Sequence, residues 1–489
     1  MPKHNSLQVK AIKAVIYNMG SFIANISFGF LISIVLARLL TPSDYGLLGM
    51  VTIFIAISQL FIDSGMSSAL IREKNPSEDD YSTVFFYNLF ISLSLYTLLY
   101  VIAPLIARFF SEPQLVDIIR VIGLSLIINS FGLIQRTMLI RKIDFKSQAY
   151  IEVSSVMIAG MIAIFMAYKG LGVWALISQS LVKHLITSSF FVMKNRWTPK
   201  FRFSRDSFNR LFGFGWKLLL TGVLATLYKN IYNIIIGRSY TSVELGYYTK
   251  SLHTRDLASN SITTVVEKVS YPILSRIQDD KTKLQSTFKK IIKLCSFTTF
   301  PLMIGLAIVA NQFIPLLFGE QWSKMIPYFQ ILCFAGITFP HRAINLNLLK
   351  VVGRSDLFLK LDILKITVGI VSIGLVIILK LGVYGLLWCS FFNTQFAFFV
   401  NTLFSKKYIG YSTSQQVMDI IPLLIISLVM GGGVYLFAAN LNFNVITNLI
   451  IEIVFGIVFY LSACWLLKIE ALQIAIEAIR TLRNSHKMR

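Results

Sequence analysis

Long apolar stretches alternate with short polar ones along nearly the whole chain of 489 residues. An apolar run of about twenty residues, bounded by charge or by Gly and Pro, predicts a helix long enough to cross a bilayer. Fourteen such runs lie near residues 14–37, 45–70, 82–107, 115–139, 148–168, 171–193, 212–237, 245–271, 294–318, 326–349, 357–379, 382–404, 418–438 and 445–467. The second, eighth and tenth are the least apolar. The pattern predicts an all-α integral membrane protein with about fourteen transmembrane helices.

Composition supports that prediction. Hydrophobic residues make up 55% of the chain and charged residues 14%, with a mean hydropathy of +0.68. Soluble domains carry about a quarter charged residues, so an ordinary soluble core does not account for these values. The net charge of +23 would suggest nucleic acid in a soluble protein. In a membrane protein it reads as topology, because cytoplasmic loops collect Lys and Arg. With the N-terminus inside and the runs alternating, 31 basic residues fall on inner segments and six on outer turns. Both termini are therefore expected in the cytoplasm of a multi-pass protein, and no nucleic-acid partner is expected. The four cysteines lie in apolar runs, none in a C-x-x-C pair, which suggests neither a disulfide frame nor a metal site.

One short polar pattern occurs twice, 200 residues apart: R-x-x-T-x-x-[DE]-x-G, at Arg38, Thr41, Asp44 and Gly46, and again at Arg238, Thr241, Glu244 and Gly246. The copies follow the first and seventh runs and fall on the same side. Six runs precede the most basic linker and six follow it. The prediction is two six-helix lobes in one orientation, a parallel repeat about an axis along the membrane normal, around a central cavity. The expected division is an N-terminal lobe at 1–194, a basic cytoplasmic linker at 195–211, a C-terminal lobe at 212–408, and two added helices with a basic tail at 409–489. Arg38, Gly46, Arg238 and Gly246 are candidate gate hinges.

Charge inside the runs points to a polar interior. A charge at the bilayer centre costs about 2.5–3.5 kcal/mol on insertion scales, so deep ionisable residues face a cavity or a partner. Deep cations outnumber deep acids. Lys183, Lys229, Lys250, Arg255 and Arg342 are candidate cations for an anionic substrate. Asp63, Asp256 and Glu452 are candidates for ion coupling or for pairing those cations. In the eighth run Thr249, His253, Asp256, Asn260, Thr263, Glu267 and Ser270 recur every three to four residues, one stripe along a helix. Lys250, Arg255 and Asp256 together would cost about 8–10 kcal/mol in lipid, against about 3–6 returned by the apolar residues. That helix should therefore line water or protein, with Thr249, His253, Asn260 and Thr263 as polar lining. The second run has a fainter counterpart at Gln59, Asp63 and Ser67. In the tenth run Pro340 removes a backbone hydrogen bond and should kink the helix beside Arg342. Lys365 has Asp362 three residues before it, the spacing of a helical ion pair.

No phosphate-binding loop, H-E-x-x-H, G-x-S-x-G or paired-cysteine motif is present, and no extramembrane segment is long enough for a catalytic domain. The expectation is a secondary transporter rather than an enzyme, with no catalytic residues, cofactor or metal, and with Na+ or H+ coupling open. The final stretch, from Lys468, reads as an amphipathic basic helix on the inner surface.

The stretch "ARLLTPSDYGLLGMVTIFIAISQLFIDSGMSSALIR" from Ala37 to Arg72 resembles the start of polysaccharide exporters and O-antigen-type flippases. "LIQRTMLIRKIDFK", "GLGVWALISQ" and "FGEQW" resemble them too. These belong to the multidrug/oligosaccharidyl-lipid/polysaccharide exporter superfamily, and the resemblance is to its colanic-acid and teichuronic-acid exporters. It spans roughly residues 1–410. It implies alternating access by two lobes in a bacterial inner membrane. The implied activity is translocation of undecaprenyl-pyrophosphate-linked oligosaccharide repeat units from the inner to the outer leaflet for cell-surface polysaccharide. Membrane lipids and polysaccharide polymerase machinery are the implied partners. The alternative on the same fold is a cation-coupled antiporter of drugs or organic cations, which would need a net acidic cavity.

Overall fold

The computed structural model describes residues 2–439, 441 and 443–487. The chain ends at residues 1 and 488–489, on which the expectation of cytoplasmic termini bears, lie outside them. Among the described residues there is no strand. The chain divides into two units, residues 1–249 and 250–489.

The first unit holds α1 (Pro2–Leu39), α2 (Pro42–Asp63), α3 (Met66–Arg72), α4 (Glu78–Phe110), α5 (Leu115–Arg141), α6 (Phe145–Tyr168), α7 (Val173–Asn195), α8 (Arg205–Ser239) and the first two turns of α9 (Ser242–Arg276). Packing is mainly between α4 and α5, α1 and α6, α7 and both α5 and α6, and α2 and α8. Small residues allow the closest approaches. Ala159, Ala163 and Ala167 of α6 are buried, as are Ile32 and Leu36 of α1. A Cβ on Gly160 would lie 2.2 Å from the Ile32 side chain. Small residues at helix interfaces are expected where no water drives the helices together.

The second unit continues α9 and adds α10 (Lys281–Ile308), α11 (Ala310–Phe318), a 3-10 turn (Glu320–Met325), α12 (Ile326–Gly336), α13 (Phe339–Val351), α14 (Ser355–Ile378), α15 (Gly382–Thr402), α16 (Ser405–Ile409), α17 (Thr413–Ala438), α18 (Val445–Leu466) and α19 (Glu470–Lys487). Its largest apolar core gathers Phe288, Phe300, Met303, Ile344 and Leu423 from α10, α13 and α17.

Among the described residues, twelve helices are long and apolar enough to cross a membrane, where fourteen runs are expected from the sequence. The two that fall short are the eighth and tenth runs. The eighth is α9, too polar along most of its length. The tenth is interrupted between α12 and α13, where Pro340 predicts a kink. Proline cannot donate to the Gly336 carbonyl, and the Ser259 hydroxyl of α9 lies 3.4 Å from that oxygen instead. The second run is also broken: α2 stops at Ser64 and Gly65, both at positive φ (46° and 70°), and α3 restarts from there.

The linker is held rather than free. Residues 196–204 run along the start of α4. The Lys200 backbone N–H donates to Ser82 Oγ (3.0 Å), and that of Ser204 donates to Thr83 Oγ1 (3.0 Å). Trp197 Nε1 donates to Glu78 (2.8 Å). Arg210, in the first turns of α8, pairs with the buried Asp80 at 2.5 Å and with Glu73 at 3.6 Å. In the second unit Asp419 of α17 pairs with Lys289 (3.0 Å) and Lys293 (3.1 Å) of α10, and Lys293 pairs with Glu470 of α19 (2.5 Å). Tyr411 donates to Asp419 (2.8 Å). Burial first, then that carboxylate, pushes the Tyr411 hydroxyl above its ordinary pKa.

Candidate functional site

The repeated pattern builds one structure twice. In the first copy Thr41 caps α2: its hydroxyl accepts from the Asp44 N–H, and Asp44 Oδ2 accepts from the Thr41 N–H (2.8 Å). In the second, the Glu244 N–H donates to Thr241 Oγ1 (3.2 Å) at the start of α9. The first copy is a capping box, in which a Thr and an acid three residues later satisfy each other's backbone donors, and the second repeats its threonine half. Five residues after each capping Thr comes the glycine, and there the two helices meet. A Cβ on Gly46 would lie 1.7 Å from the Ser242 carbonyl oxygen. A Cβ on Gly246 would lie 1.8 Å from the Pro42 carbonyl oxygen. Positions 42 and 242 correspond in the repeat, so the contact is reciprocal, as a two-fold axis requires. Ser43 Oγ and Ser242 Oγ share a hydrogen bond of 2.9 Å across the crossing. Arg38 and Arg238 are exposed on the turns before it. Arg238 stands over the Phe109 ring (5.4 Å), with Nη1 3.4 Å from Ser111 Oγ.

Along α9 the predicted stripe is the more open face as far as Glu267, but its last member, Ser270, is buried and accepts from Asn347 (3.1 Å). His253, Asn260 and Glu267 are exposed, and Thr249, Asp256 and Thr263 are half-buried. The cations next to it turn the other way. Lys250 is 2% and Arg255 3% exposed, on a face shared with Ser251, Thr254 and Ser259. Lys250 Nζ lies 4.3 Å from the Phe318 ring centroid and 5.8 Å from that of Trp322. The "FGEQW" stretch thus supplies an aromatic face for an ammonium group. Arg255 pairs with Asp256 (2.8 Å), stands over the Phe339 ring (4.6 Å) and lies 3.5 Å from the Leu332 carbonyl oxygen. Gly336 makes room for it, since a Cβ there would lie 2.9 Å from Arg255 Cδ. The half-buried Arg342, from α13, stands over the same Phe339 ring at 5.5 Å.

The other candidates are spread out. Lys183 on α7 and Lys229 on α8 are exposed, and Gln59 on α2 is half-buried. Asp63 Oδ1 accepts from the Ser67 N–H (3.3 Å), across the break between α2 and α3. Glu452 of α18, 2% exposed, accepts from Gln312 Nε2 of α11. Arg255, Asp256 and Arg342 are therefore brought together, and Lys250 and Glu452 each have a separate setting. The sequence reading missed the aromatic partners Phe318, Trp322 and Phe339, because an aromatic in an apolar run looks like core until its neighbour is known. It also missed a buried polar layer: Ser296 with His341 (2.7 Å), Asn345 with Gln416 (3.1 Å), and Lys365 with Asn401 (3.0 Å). Lys365 also pairs with Asp362 (2.6 Å), as their spacing predicts.

Residues 35–327 match the family described as "Polysaccharide biosynthesis protein". The chain belongs to this family. The match contains both glycine crossings, all of α9 and the Phe318–Trp322 stretch; Arg342 and Glu452 lie beyond it. Over 442 residues the chain is 24% identical to the lipopolysaccharide biosynthesis protein WzxC of Escherichia coli K12, covering 87% of this chain and 88% of that one. Over 302 residues it is 29% identical to the teichuronic acid biosynthesis protein TuaB of Bacillus subtilis 168, covering 61% and 62%. Among solved structures it resembles the lipid II flippase MurJ in an inward closed conformation. The TM-score is 0.71 at 19% identity, over 93% of this chain and 98% of that one. An inward-facing multidrug transporter of the MATE family matches with a TM-score of 0.55 at 16% identity, over 95% and 99%. The chain is thus an all-helical, multi-pass membrane member of the polysaccharide biosynthesis family, with the fold shared by MurJ and the MATE transporters.

Proposed function

We propose that the chain translocates lipid-linked oligosaccharide, with the saccharide joined through pyrophosphate to undecaprenol, from the inner to the outer leaflet of a bacterial inner membrane by alternating access. One observation carries this reading: a polysaccharide biosynthesis match and the fold of the lipid II flippase MurJ coincide in one chain. The polar face of α9, at Thr249, His253, Asn260 and Thr263, offers hydrogen bonds to sugar hydroxyls. Arg342, half-buried and already stacked on Phe339, supplies the forked donors that suit a pyrophosphate. Lys183 and Lys229 add positive charge at exposed positions. Lys250 and Arg255 act from behind, fixing α9 against its neighbours. The Gly46–Gly246 crossing serves as a closure that opens when the repeat-related halves, residues 1–194 and 212–408, move apart on the outer side.

Coupling is assigned to Glu452. Of the three candidate acids, Asp63 caps a helix and Asp256 pairs with an arginine. Glu452 is buried, and among the described residues no basic side chain pairs with it. A proton can neutralise it where it stands.

The test is flipping of an undecaprenyl-pyrophosphate oligosaccharide in proteoliposomes, read by leaflet-specific accessibility of the sugar. Protein-dependent translocation supports the reading. Transport of organic cations with no translocation of the saccharide would replace it with the antiporter.

A further inference from the structure

The segment joining α7 to α8 carries Lys194, Arg196, Lys200, Arg202 and Arg205 with no acidic residue among residues 194–205. Topology alone would explain the charge, since basic residues mark inner loops. It does not explain the aromatics between them. Phe201 is 96% exposed and Phe203 56%, and both neighbours of Phe201, Lys200 and Arg202, are exposed as well. A free connector could turn those rings away from water. This one is held at Lys200 and Ser204 by backbone hydrogen bonds to Ser82 and Thr83, which fixes the residues between them facing outward.

The place they face is set by α4. The Phe201 ring packs on Phe86 with centroids 5.3 Å apart. Phe86 lies two turns into α4, and one turn further on is Phe90, 68% exposed. Exposed Leu93, Val101 and Leu105 follow on this apolar spanning helix. Phe201 thus extends the exposed apolar surface of a spanning helix toward its polar end, where aromatic rings sit at the level of lipid headgroups. The adjacent cations then stand where anionic headgroups are, and four to eight Lys or Arg next to a spanning helix suffice to attract them. The nearby acids do not cancel this charge: Asp80 and Glu73 are paired with Arg210, and the five cations of residues 194–205 outnumber Glu78, Asp79 and Asp206.

We propose that residues 194–205 form a fixed anchor on the inner leaflet, with Phe201 and Phe203 inserted at the interface and Lys200, Arg202 and Arg205 binding the headgroups of anionic phospholipids. This goes beyond the flippase reading and does not depend on it.

The native cysteines are all buried, so Phe201→Cys can be labelled selectively with bimane in the full-length protein. The labelled protein is reconstituted in phosphatidylcholine containing a small fraction of lipid with a nitroxide high on the acyl chain. That lipid is either phosphatidylglycerol or phosphatidylcholine. The nitroxide phosphatidylglycerol is expected to quench at least twofold more, with the difference falling as salt is raised. Replacing Lys200, Arg202 and Arg205 together by Gln should abolish the difference while quenching persists. Arg202→Gln alone should reduce it, which guards against failure of the triple variant to fold. Equal quenching by the two lipids in the unsubstituted segment would overturn the anionic preference. No quenching by either would overturn the anchor.

Discussion

Arg255 and Arg342 approach the same Phe339 ring from different helices, and their burial separates what they do. Arg255 is enclosed and paired with Asp256. Removing one partner of a buried pair typically costs about 3–5 kcal/mol, so Arg255→Ala is expected to lower the thermal unfolding midpoint of the purified protein markedly. Arg342 is half-buried, so Arg342→Ala should keep the midpoint close to the parent. It should also slow flipping about tenfold to a hundredfold, the effect of losing a charge-assisted hydrogen bond of about 1.5–3 kcal/mol. Glu452→Gln keeps the size of the side chain and its contact with Gln312. It is expected to fold normally and to remove the dependence of flipping on an imposed pH gradient. All three residues are legible in the sequence as charges within apolar runs. Which of them is sealed and which is open is not, because periodicity gives the face of a helix and says nothing of what covers it. Lys250 shows the same limit: the helical period of about 100° per residue takes it off the Thr249 face, but only the packing of Phe318 and Trp322 shows that it is covered.

At the scale of helices, the glycine crossing is the contact on which closure would depend. A Ser43→Cys/Ser242→Cys pair should form a disulfide under mild oxidation, given the present separation of the two hydroxyls. Flipping should stop on oxidation and return on reduction. Gly46→Ala has to displace a carbonyl oxygen lying 1.7 Å from the new methyl group. It is expected to lower the yield of that disulfide, because the helices no longer approach, and to impair transport without loss of expression. The repeated pattern itself was visible in the sequence. Its chemistry was not: the Thr and the acid form a helix cap, and the glycine is required by the other copy 200 residues away. The polar character of α9 and a kink at Pro340 followed from composition and from proline's missing donor. The break at Ser64 and Gly65 did not, since neither residue type demands positive φ and only the packing of α2 and α3 shows that it is used.

For the molecule as a whole, membership of the polysaccharide biosynthesis family and the proposed flipping activity lead to one cellular test. Deleting the gene should cause a lipid-linked saccharide to accumulate on the cytoplasmic leaflet, measured by extraction and mass analysis of the lipid fraction. The unsubstituted gene should clear it, and the oxidised cysteine pair should fail to do so. The fold class could be read from the sequence because bilayer thickness imposes a length on every spanning helix. Hydropathy along the chain marked the second, eighth and tenth runs as the least apolar. The eighth and tenth fall short of a span among the described residues, while the second, Pro42–Arg72, remains apolar enough to cross.

The sequence by itself determined that this chain is helical, that it spans a membrane, and that it carries one short polar pattern twice, 200 residues apart. Those properties depend on local hydropathy, charge and helical period, which need no knowledge of neighbours. Only the tertiary structure decided which cations are open and which are sealed, what the two distant glycines touch, and how the basic linker is held against α4. Those properties depend on contacts between residues far apart in the chain, and a linear pattern carries no record of such distances.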